Sequence, residues 1–336
     1  MSTQTENIRG LYSGDAYTGK EQTRSDNQVN IDVEVSWMNG ITAVFSNTFP
    51  AADYGKNPTI NLQTGRVLYR TNDAAIGANS YTIGISHVYS SKCSRFASHI
   101  FPGIGKGWKL NLQQAIVAGL VRVSNALPQR IWQYIDADGN VHEYKLFDSA
   151  NSRYYATDDA TNVLTESSTE YVLEDALGNK LIFTKRKINR ITVGLLSKSI
   201  SCQNASVVKH YEYDSKNRLV KVYDERKNVN GRIKSFIELK YDVVSGLLST
   251  VTAYDNFSKK ISEVRYEYIN SDLVAVYAVA FNKSHVEVMT KKITKFTYSN
   301  GKLLSVEDCD TKSAMEFVYD ENNRVEYANY GVVVDD

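Results

Sequence analysis

The sequence predicts an all-β protein, an array of antiparallel β-hairpins forming a curved, spiralling sheet, and three observations carry that prediction. Tyrosine is abundant, at 23 residues beside 11 phenylalanines, whereas proline falls to 4, against about 17 at an average usage of roughly 5%. Proline cannot donate to a strand ladder, so an aromatic-rich, proline-poor chain suits many paired strands. A tyrosine-marked unit also recurs: aligned on Tyr213, Tyr241, Tyr268, Tyr298 and Tyr319, similar segments follow one another at intervals, by subtraction, of 28, 27, 30 and 21 residues. A loose period of that size signals supersecondary units in a row. Finally, the apolar positions alternate over short runs bounded by turn residues, which is strand periodicity.

At 336 residues the chain can bury roughly three quarters of its unfolded surface, in one large β body or two ordinary domains. Lys+Arg is 39 and Asp+Glu 38, a formal net charge of +1, so no global field draws it to nucleic acid or an anionic membrane. The longest apolar run, Leu273 to Phe281, is about half of the roughly 20 residues a spanning helix needs. The first residues lack a basic start followed by an apolar core. Neither membrane insertion nor a classical export signal is expected.

Residues 1–58 read as a lead segment with one hairpin. Val29, Ile31, Val33, Val35 and Trp37 share one face of VNIDVEVSW, Asn39-Gly40 offers a turn, and ITAVFSNTF continues as a strand. Residues 59–200 read as diverged hairpins. A strand covers Tyr81 to Tyr89, and Leu110 to Val123 is a strand rather than a helix because of Gly119 and its β-branched content. Between them GIGKGW, Gly103 to Trp108, lacks the Lys-Ser or Lys-Thr of a P-loop and is one residue short of GxGxxG. A tight turn at Gly107 that presents Trp108 to the core explains it better. Two more strand pairs are joined by acidic Gly-Asn loops, at Asp138-Gly139-Asn140 and at Leu177-Gly178-Asn179.

Residues 201–336 hold the regular array. In HYEYDSKNRLVKVYD, Tyr211 and Tyr213 project from one face and Glu212 from the other. Asp214 bonds the backbone ahead of it, Asn217 takes the left-handed conformation, and Leu219 begins the return strand. Tyr241-Asp242 to Gly246 is one residue longer, Tyr266 and Tyr268 repeat the tyrosine pair, Asn300-Gly301 is the strongest short hairpin signal, and Asp320 to Asn323 after Tyr319 copies the first spacing. The tyrosines read as core packing rather than an exposed sugar-binding ladder, since aromatic pairs across strands stabilise a thin wall.

Catalytic and ligand-binding constellations do not emerge. His87, His99, His142, His210 and His285 are scattered, with no i, i+4 pair and no HExxH. Cys93, Cys202 and Cys309 have no paired spacing and read as buried free thiols. Cys93 and His99 stand too close in sequence for a nucleophile and base brought together by a fold, and Asp136 and Asp138 sit in a loop where turn chemistry explains them. The dense basic cluster Lys185-Arg186-Lys187 with Arg190 reads as a solvated strand end. The expectation is a non-enzyme with no metal, no cofactor and no nucleic-acid partner.

The order of these features resembles the rearrangement hot spot, or YD-repeat, family, which includes bacterial polymorphic toxins, the C subunits of insecticidal toxin complexes and the animal teneurins. The resemblance rests on Tyr213-Asp214, Tyr241-Asp242 and Tyr319-Asp320, and on NLQTGRVLY, then ISHVYSS, then GIGKGWKLNLQQ upstream, so it covers roughly residue 60 to the end. It implies a strip of hairpins spiralling into a hollow shell around a toxin or signalling segment, a secreted or cell-surface setting with cytoplasmic storage before delivery, and a protein partner in the form of cargo or further shell. The Asp-Pro segment that closes bacterial shells is not in this sequence, so proteolysis is not carried over. The alternative is a surface adhesion or carbohydrate-binding module. Five tight units in an open strip leave strand edges, so the chain is expected to be a piece of a longer assembly or to pair its edge with itself or another subunit.

Overall fold

The computed structural model describes residues 4–7, 30–32, 58–61, 66–76, 83–91, 100–121, 129–157, 161–188, 190–202, 208–225, 231 and 235–333. The rest of the expected Val29 to Trp37 strand beyond Asn30–Asp32, the Asn39-Gly40 turn, the ITAVFSNTF strand, Cys93 and His99 lie outside the described residues.

The fold is all-β, as expected, and has three parts. After β1 (Gln4–Asn7), a five-stranded sheet comprises β2 (Asn30–Asp32), β3 (Thr59–Asn61), β4 (Arg66–Ile76), β5 (Ile83–Ser90) and β6 (Trp108–Leu110). β2 runs parallel to β3 and the other neighbours are antiparallel. The burial of Ile60, Val67, Tyr69, Ile85, Trp108 and Leu110 places this sheet inside the molecule, and we call it the inner sheet.

Eight antiparallel strands follow: β7 (Ala115–Val121), β8 (Gln129–Ile135), β9 (Val141–Asp148), β10 (Arg153–Ala156), β11 (Val163–Glu166), β12 (Glu170–Glu174), β13 (Lys180–Ile188) and β14 (Ile191–Ile200). Each pairs with the next, and β14 returns to β7, so they close a barrel. An eight-stranded barrel has an interior just wide enough for side chains. Trp132, Tyr144, Tyr171 and Phe183 fill it, the Trp132 and Tyr171 rings meeting edge to face at 4.8 Å. A Cβ at Gly194 would lie 2.6 Å from the Tyr171 ring, so the β14 backbone must be bare where that ring crosses it.

The third part is the strip expected from the repeat: β15 (Val208–Tyr213), β16 (Leu219–Asp224), β17 (Phe236–Tyr241), β18 (Leu248–Tyr254), β19 (Lys260–Ile269), β20 (Asp272–Phe281), β21 (Glu287–Ser299), β22 (Lys302–Asp308), β23 (Ser313–Tyr319) and β24 (Val325–Val332). All successive pairs are antiparallel. Barrel and strip part company at a bulge. The β13–β14 register skips Ser197, whose hydroxyl bonds Ile182 O at 3.0 Å; on the free side of β14, Val193 to Leu195 pair with β7 while Lys198 to Ile200 pair with β15. Bulges bend a strand and raise its twist, and here one strand serves two sheets.

Buried side chains of the inner sheet, the barrel and the strip form one continuous core. The apolar run Leu273 to Phe281 lies within β20, paired on both sides by β19 and β21. Of the last strand, residues Tyr327 to Tyr330 pair with Gln4 to Asn7 of β1.

Three expectations need correction. Leu110 to Val123 is not one strand, since β6 ends at Leu110 in the inner sheet and β7 begins at Ala115 in the barrel. The described cysteines are free but not buried, since Cys202 is exposed and Cys309 half-buried. Lys187 and Arg190 of the basic cluster are exposed as expected, but Lys185 and Arg186 are not merely solvated. Lys185 bonds Glu166 at 2.8 Å and lies over the Tyr171 ring, Arg186 lies over the Tyr213 ring, and both head groups are substantially covered. Aromatic faces next to β13 recruit these cations from solvent.

Candidate functional site

The distinctive geometry is a tyrosine-lined rim with the inner sheet seated along it. In each of the five hairpins a register shift falls immediately before the marker tyrosine, at Tyr213, Tyr241, Tyr268, Tyr298 and Tyr319. The bulge sets each tyrosine opposite the first or second residue of its return strand, in turn Leu219, Leu248, Leu273, Leu303 and Val325, all fully buried. Two residues earlier stand Tyr211, Leu239, Tyr266, Phe296 and Phe317, all buried in the core. The marker rings are partly buried and pack on the same core, so they do not form an exposed ladder.

Successive hairpins are laced together by these rings. Tyr241 donates to Leu219 O at 2.8 Å, Tyr298 to Leu273 O at 2.7 Å and Tyr319 to Leu303 O at 2.8 Å. A cation of the preceding hairpin covers two of the rings: Arg218 lies 4.4 Å from the Tyr241 centroid and Lys302 5.2 Å from that of Tyr319. Burial pushes all five phenols above their usual range, which keeps them protonated at neutral pH.

The turns behind the tyrosines repeat one device. Oδ1 of Asp214 accepts from Lys216 and Arg218 N–H at 2.9 Å each, with Asn217 left-handed at φ 61°. Asp320 with Asn323, Asp136 with Gly139 and Asp175 with Gly178 reproduce it. Two copies escape a reading that looks for Gly or Asn at the left-handed position: Asp255 with Ser258 and Asn282 with His285. Their only signal is the Asx residue itself. The Asp242 loop is one residue longer and closes at Gly246, whereas Asn300-Gly301 is a two-residue turn with φ 51° and 72°.

Residues 103–108 run along this rim as a seam. Gly103 O accepts from Leu248 N at 2.5 Å. A Cβ on Gly103 would lie 2.6 Å from the Tyr241 ring, one on Gly105 would lie 2.8 Å from Ser271 O, and one on Gly107 would lie 2.7 Å from the Tyr89 ring. Trp108 turns into the core as its Nε1 donates to Tyr298 Oη at 2.9 Å, its ring meeting Phe296 at 4.8 Å. Tyr89 accepts from Leu303 N at 3.1 Å. Gly103 and Gly105 let bare backbone lie against two consecutive hairpins, Trp108 reaches the next, and Gly107 makes room for Tyr89 of the inner sheet itself.

A second contact, between inner sheet and barrel, is charged. Asp136 Oδ1 accepts from the backbone of Asp138 and Asn140, and Oδ2 from Asn140 Nδ2 at 2.9 Å and His142 Nε2 at 3.1 Å. Into this loop reach three cations of the inner sheet: Arg66 to Asp138 O at 2.6 Å, Arg70 to the Asp138 carboxylate at 3.0 Å, and Lys109 to the carbonyls of Asp136 and Ala137 at 2.7 and 2.6 Å. Burial alone would raise Asp136, but the His142 hydrogen bond, the charges of His142 and Lys109, and Asn140 hold its carboxyl far below the usual range. Asp138 is pushed the other way by burial and the Asp136 charge, with Arg70 offsetting only part. We call this the latch.

Another buried polar pair is Asp73 with His87, Oδ1 to Nδ1 at 2.6 Å and neither side chain exposed. Asp73 is the extra residue at a bulge in β4, which aims it across the sheet. No hydroxyl or thiol bonds the far nitrogen of His87 among the described residues, so the nucleophile of a triad is not in place. Among the described residues no cluster of histidine, cysteine or acidic side chains could hold a metal ion, and no helix is long and apolar enough to cross a membrane.

No family model and no curated protein matches the chain. Solved structures that share features with it include two toxin-complex crystal structures, TcdB2-TccC3-Cdc42 at 10% identity and TcdB2-TccC3 without its hypervariable C-terminal region at 11%, each with a TM-score of 0.46. They cover 77% and 76% of this chain, which spans 16% of the length of each. A porin-like protein from Bacteroides uniformis matches at 12% identity and a TM-score of 0.29, over 66% of this chain and 97% of its own. At these scores the likenesses are similarities of β architecture.

Proposed function

We propose that this chain is a non-catalytic structural shell of the YD-repeat kind, a wall of hairpins that holds a polypeptide against its inner face and presents or encloses a protein partner in a toxin-delivery or cell-contact system. One observation carries the reading: the strip grips a folded sheet of its own chain, with β4 against β17, β18 and β19 and residues 103–108 laid across three hairpins, at Tyr241, Ser271 and Tyr298. The wall supplies what such grip needs, namely an apolar inner face, a hydrogen-bonding rim and turn loops that leave both free. Enclosure rather than turnover is the mechanism, since a packed wall excludes solvent and slows escape of what it holds.

The test is to co-express the chain with the product of the coding sequence adjacent to its own and to challenge the purified material with protease. Co-purification, with the second polypeptide resisting protease as long as the wall is intact, is the expected result. Failure of the two to co-purify, with no protection of the added polypeptide, overturns the reading.

A further inference from the structure

We propose that the outer edge of β24 is a docking edge for an extended strand of apolar-x-apolar-x-Tyr pattern supplied by a protein partner, and that β1 is a weakly held occupant of it. This deepens the shell reading, on which it rests only for the existence of a partner, by naming where and by what chemistry the partner joins.

Two hairpins of the strip receive the next in the same way. On β16, Val222 stands opposite Ile237, and four residues later in sequence Tyr241 donates to Leu219 O and lies under Arg218. On β22, Val306 stands opposite Met315, and four residues later Tyr319 donates to Leu303 O and lies under Lys302. Between them the arriving strands carry Leu239 and Phe317, both buried. The arriving pattern is therefore Ile-x-Leu-x-Tyr in one case and Met-x-Phe-x-Tyr in the other.

β24 repeats the receiving half of this arrangement. Tyr319 pairs with Val325 across a bulge as Tyr213 pairs with Leu219. Arg324 bonds Asp320 at 2.8 Å through both Nε and Nη2, matching Arg218 on Asp214 at 2.8 and 2.7 Å. Ala328, buried in the core, occupies the place of Val222. The cation, the carbonyl and the apolar position that elsewhere receive an aromatic strand thus recur at the last hairpin in the same order.

The strand now on that edge does not match the pattern. Register places Glu6 opposite Ala328, where the array uses Ile237, Val264, Thr294 or Met315, none of them charged. Four residues after Glu6 the sequence has Gly10 where the array has tyrosine. β1 pairs with four residues of the eight in β24, and for so short a strand the ordering entropy offsets most of what its hydrogen bonds contribute. A partner strand with the full pattern would add the ring, its hydroxyl bond and the second apolar contact, the mode of recognition in which main-chain bonds give affinity and alternate side chains give specificity.

A labelled peptide with the sequence of Ser235 to Val243 is the probe, added to the full chain and read by fluorescence anisotropy and amide hydrogen exchange. Saturable binding is expected, with new protection in 325–332 and none in 219–224. Thr5→Pro, which removes pairing capacity from β1, should tighten binding at least tenfold, and replacing the tyrosine of the peptide with alanine should weaken it at least fivefold. The proposal is overturned if the Thr5→Pro chain binds no peptide, if it binds no tighter than the native chain, if protection appears elsewhere, or if the alanine peptide binds equally well. A Thr5→Pro chain that dimerises and takes no peptide assigns the edge to a second copy and also overturns it. Peptide binding together with failure of the co-expression test would instead leave the docking edge standing and remove enclosure.

Discussion

Replacing Gly105 with alanine tests whether residues 103–108 are a seam or only a turn. Gly105 has φ +94°, and an added Cβ would stand 2.8 Å from Ser271 O, a backbone atom in a two-residue turn whose Asn270 and Ser271 already sit at φ 51° and 70°. Left-handed backbone costs a non-glycine residue roughly 1–2 kcal/mol. Overpacking against atoms that cannot swing away adds about 1–3 kcal/mol. The expected loss is therefore about 2–5 kcal/mol in all. Gly246→Ala is the internal control: its φ is +72°, but the nearest atom to an added Cβ is Arg218 Nη1 at 3.9 Å, so it should carry the backbone cost alone, about 1–2 kcal/mol. Urea unfolding of both variants beside the native chain, with tryptophan emission as the probe, gives the difference. In Gly105→Ala the emission should also shift to the red before global unfolding, as Trp108 leaves Phe296 and Tyr298. Equal losses in the two variants, within about 0.5 kcal/mol, would show that the segment does not bear on the hairpins and would refute the seam.

Three further outcomes follow from the same geometry. Because Asp136 is held below its unfolded value by His142, Lys109 and Asn140, its contribution to stability is complete above about pH 4 and is lost as pH falls toward the folded value; Asp136→Asn should flatten the acid limb of urea midpoints measured from pH 6 to 2.5. At neutral pH, Arg70→Met should cost about 3–5 kcal/mol by leaving the Asp138 carboxylate buried beside Asp136 without its ion pair, and Arg70→Met with Asp138→Asn should recover at least half of that in chemical denaturation. Tyr241→Phe keeps the ring under Arg218 but leaves Leu219 O without its 2.8 Å donor, so a loss of about 1–2 kcal/mol is expected, against a larger loss for Tyr241→Ala in the same assay.

What the sequence made legible was local. Asp214 with Asn217, Asp320 with Asn323 and Asn300-Gly301 specify their turns within five residues, because an Asx side chain bonds the backbone just ahead and a left-handed residue closes the loop. The alternation of Tyr211 and Tyr213 likewise fixes a face without reference to anything distant. Barrel closure depends instead on one bulge at Ser197 in β14, and Ser197 has no signature, since any small residue can bulge. The latch shows the same limit. Asp136 was legible as a turn residue, which it is, but the cations that bury it come from Arg66, Arg70 and Lys109, which precede it by 27 to 70 positions in sequence. Lys185 and Arg186 read as solvated for the same reason, their aromatic partners lying on other strands.

The seam joins the two cases. A run of glycines before a tryptophan predicts a turn, and Gly107 at φ +83° provides one. A turn alone accounts for the positive φ of Gly103 and Gly105, +111° and +94°, but not for what an added Cβ would meet. Their added Cβ atoms would meet Tyr241 and Ser271, which follow them by more than 130 positions. The strip adds its own constraint on these two glycines, and the stacking of its hairpins is what makes it recur: two consecutive hairpins present a rim contact, and the backbone lying along them is bare at both. At the next hairpin the contact is Trp108 on Tyr298 instead, while Gly107 clears the Tyr89 ring of the inner sheet.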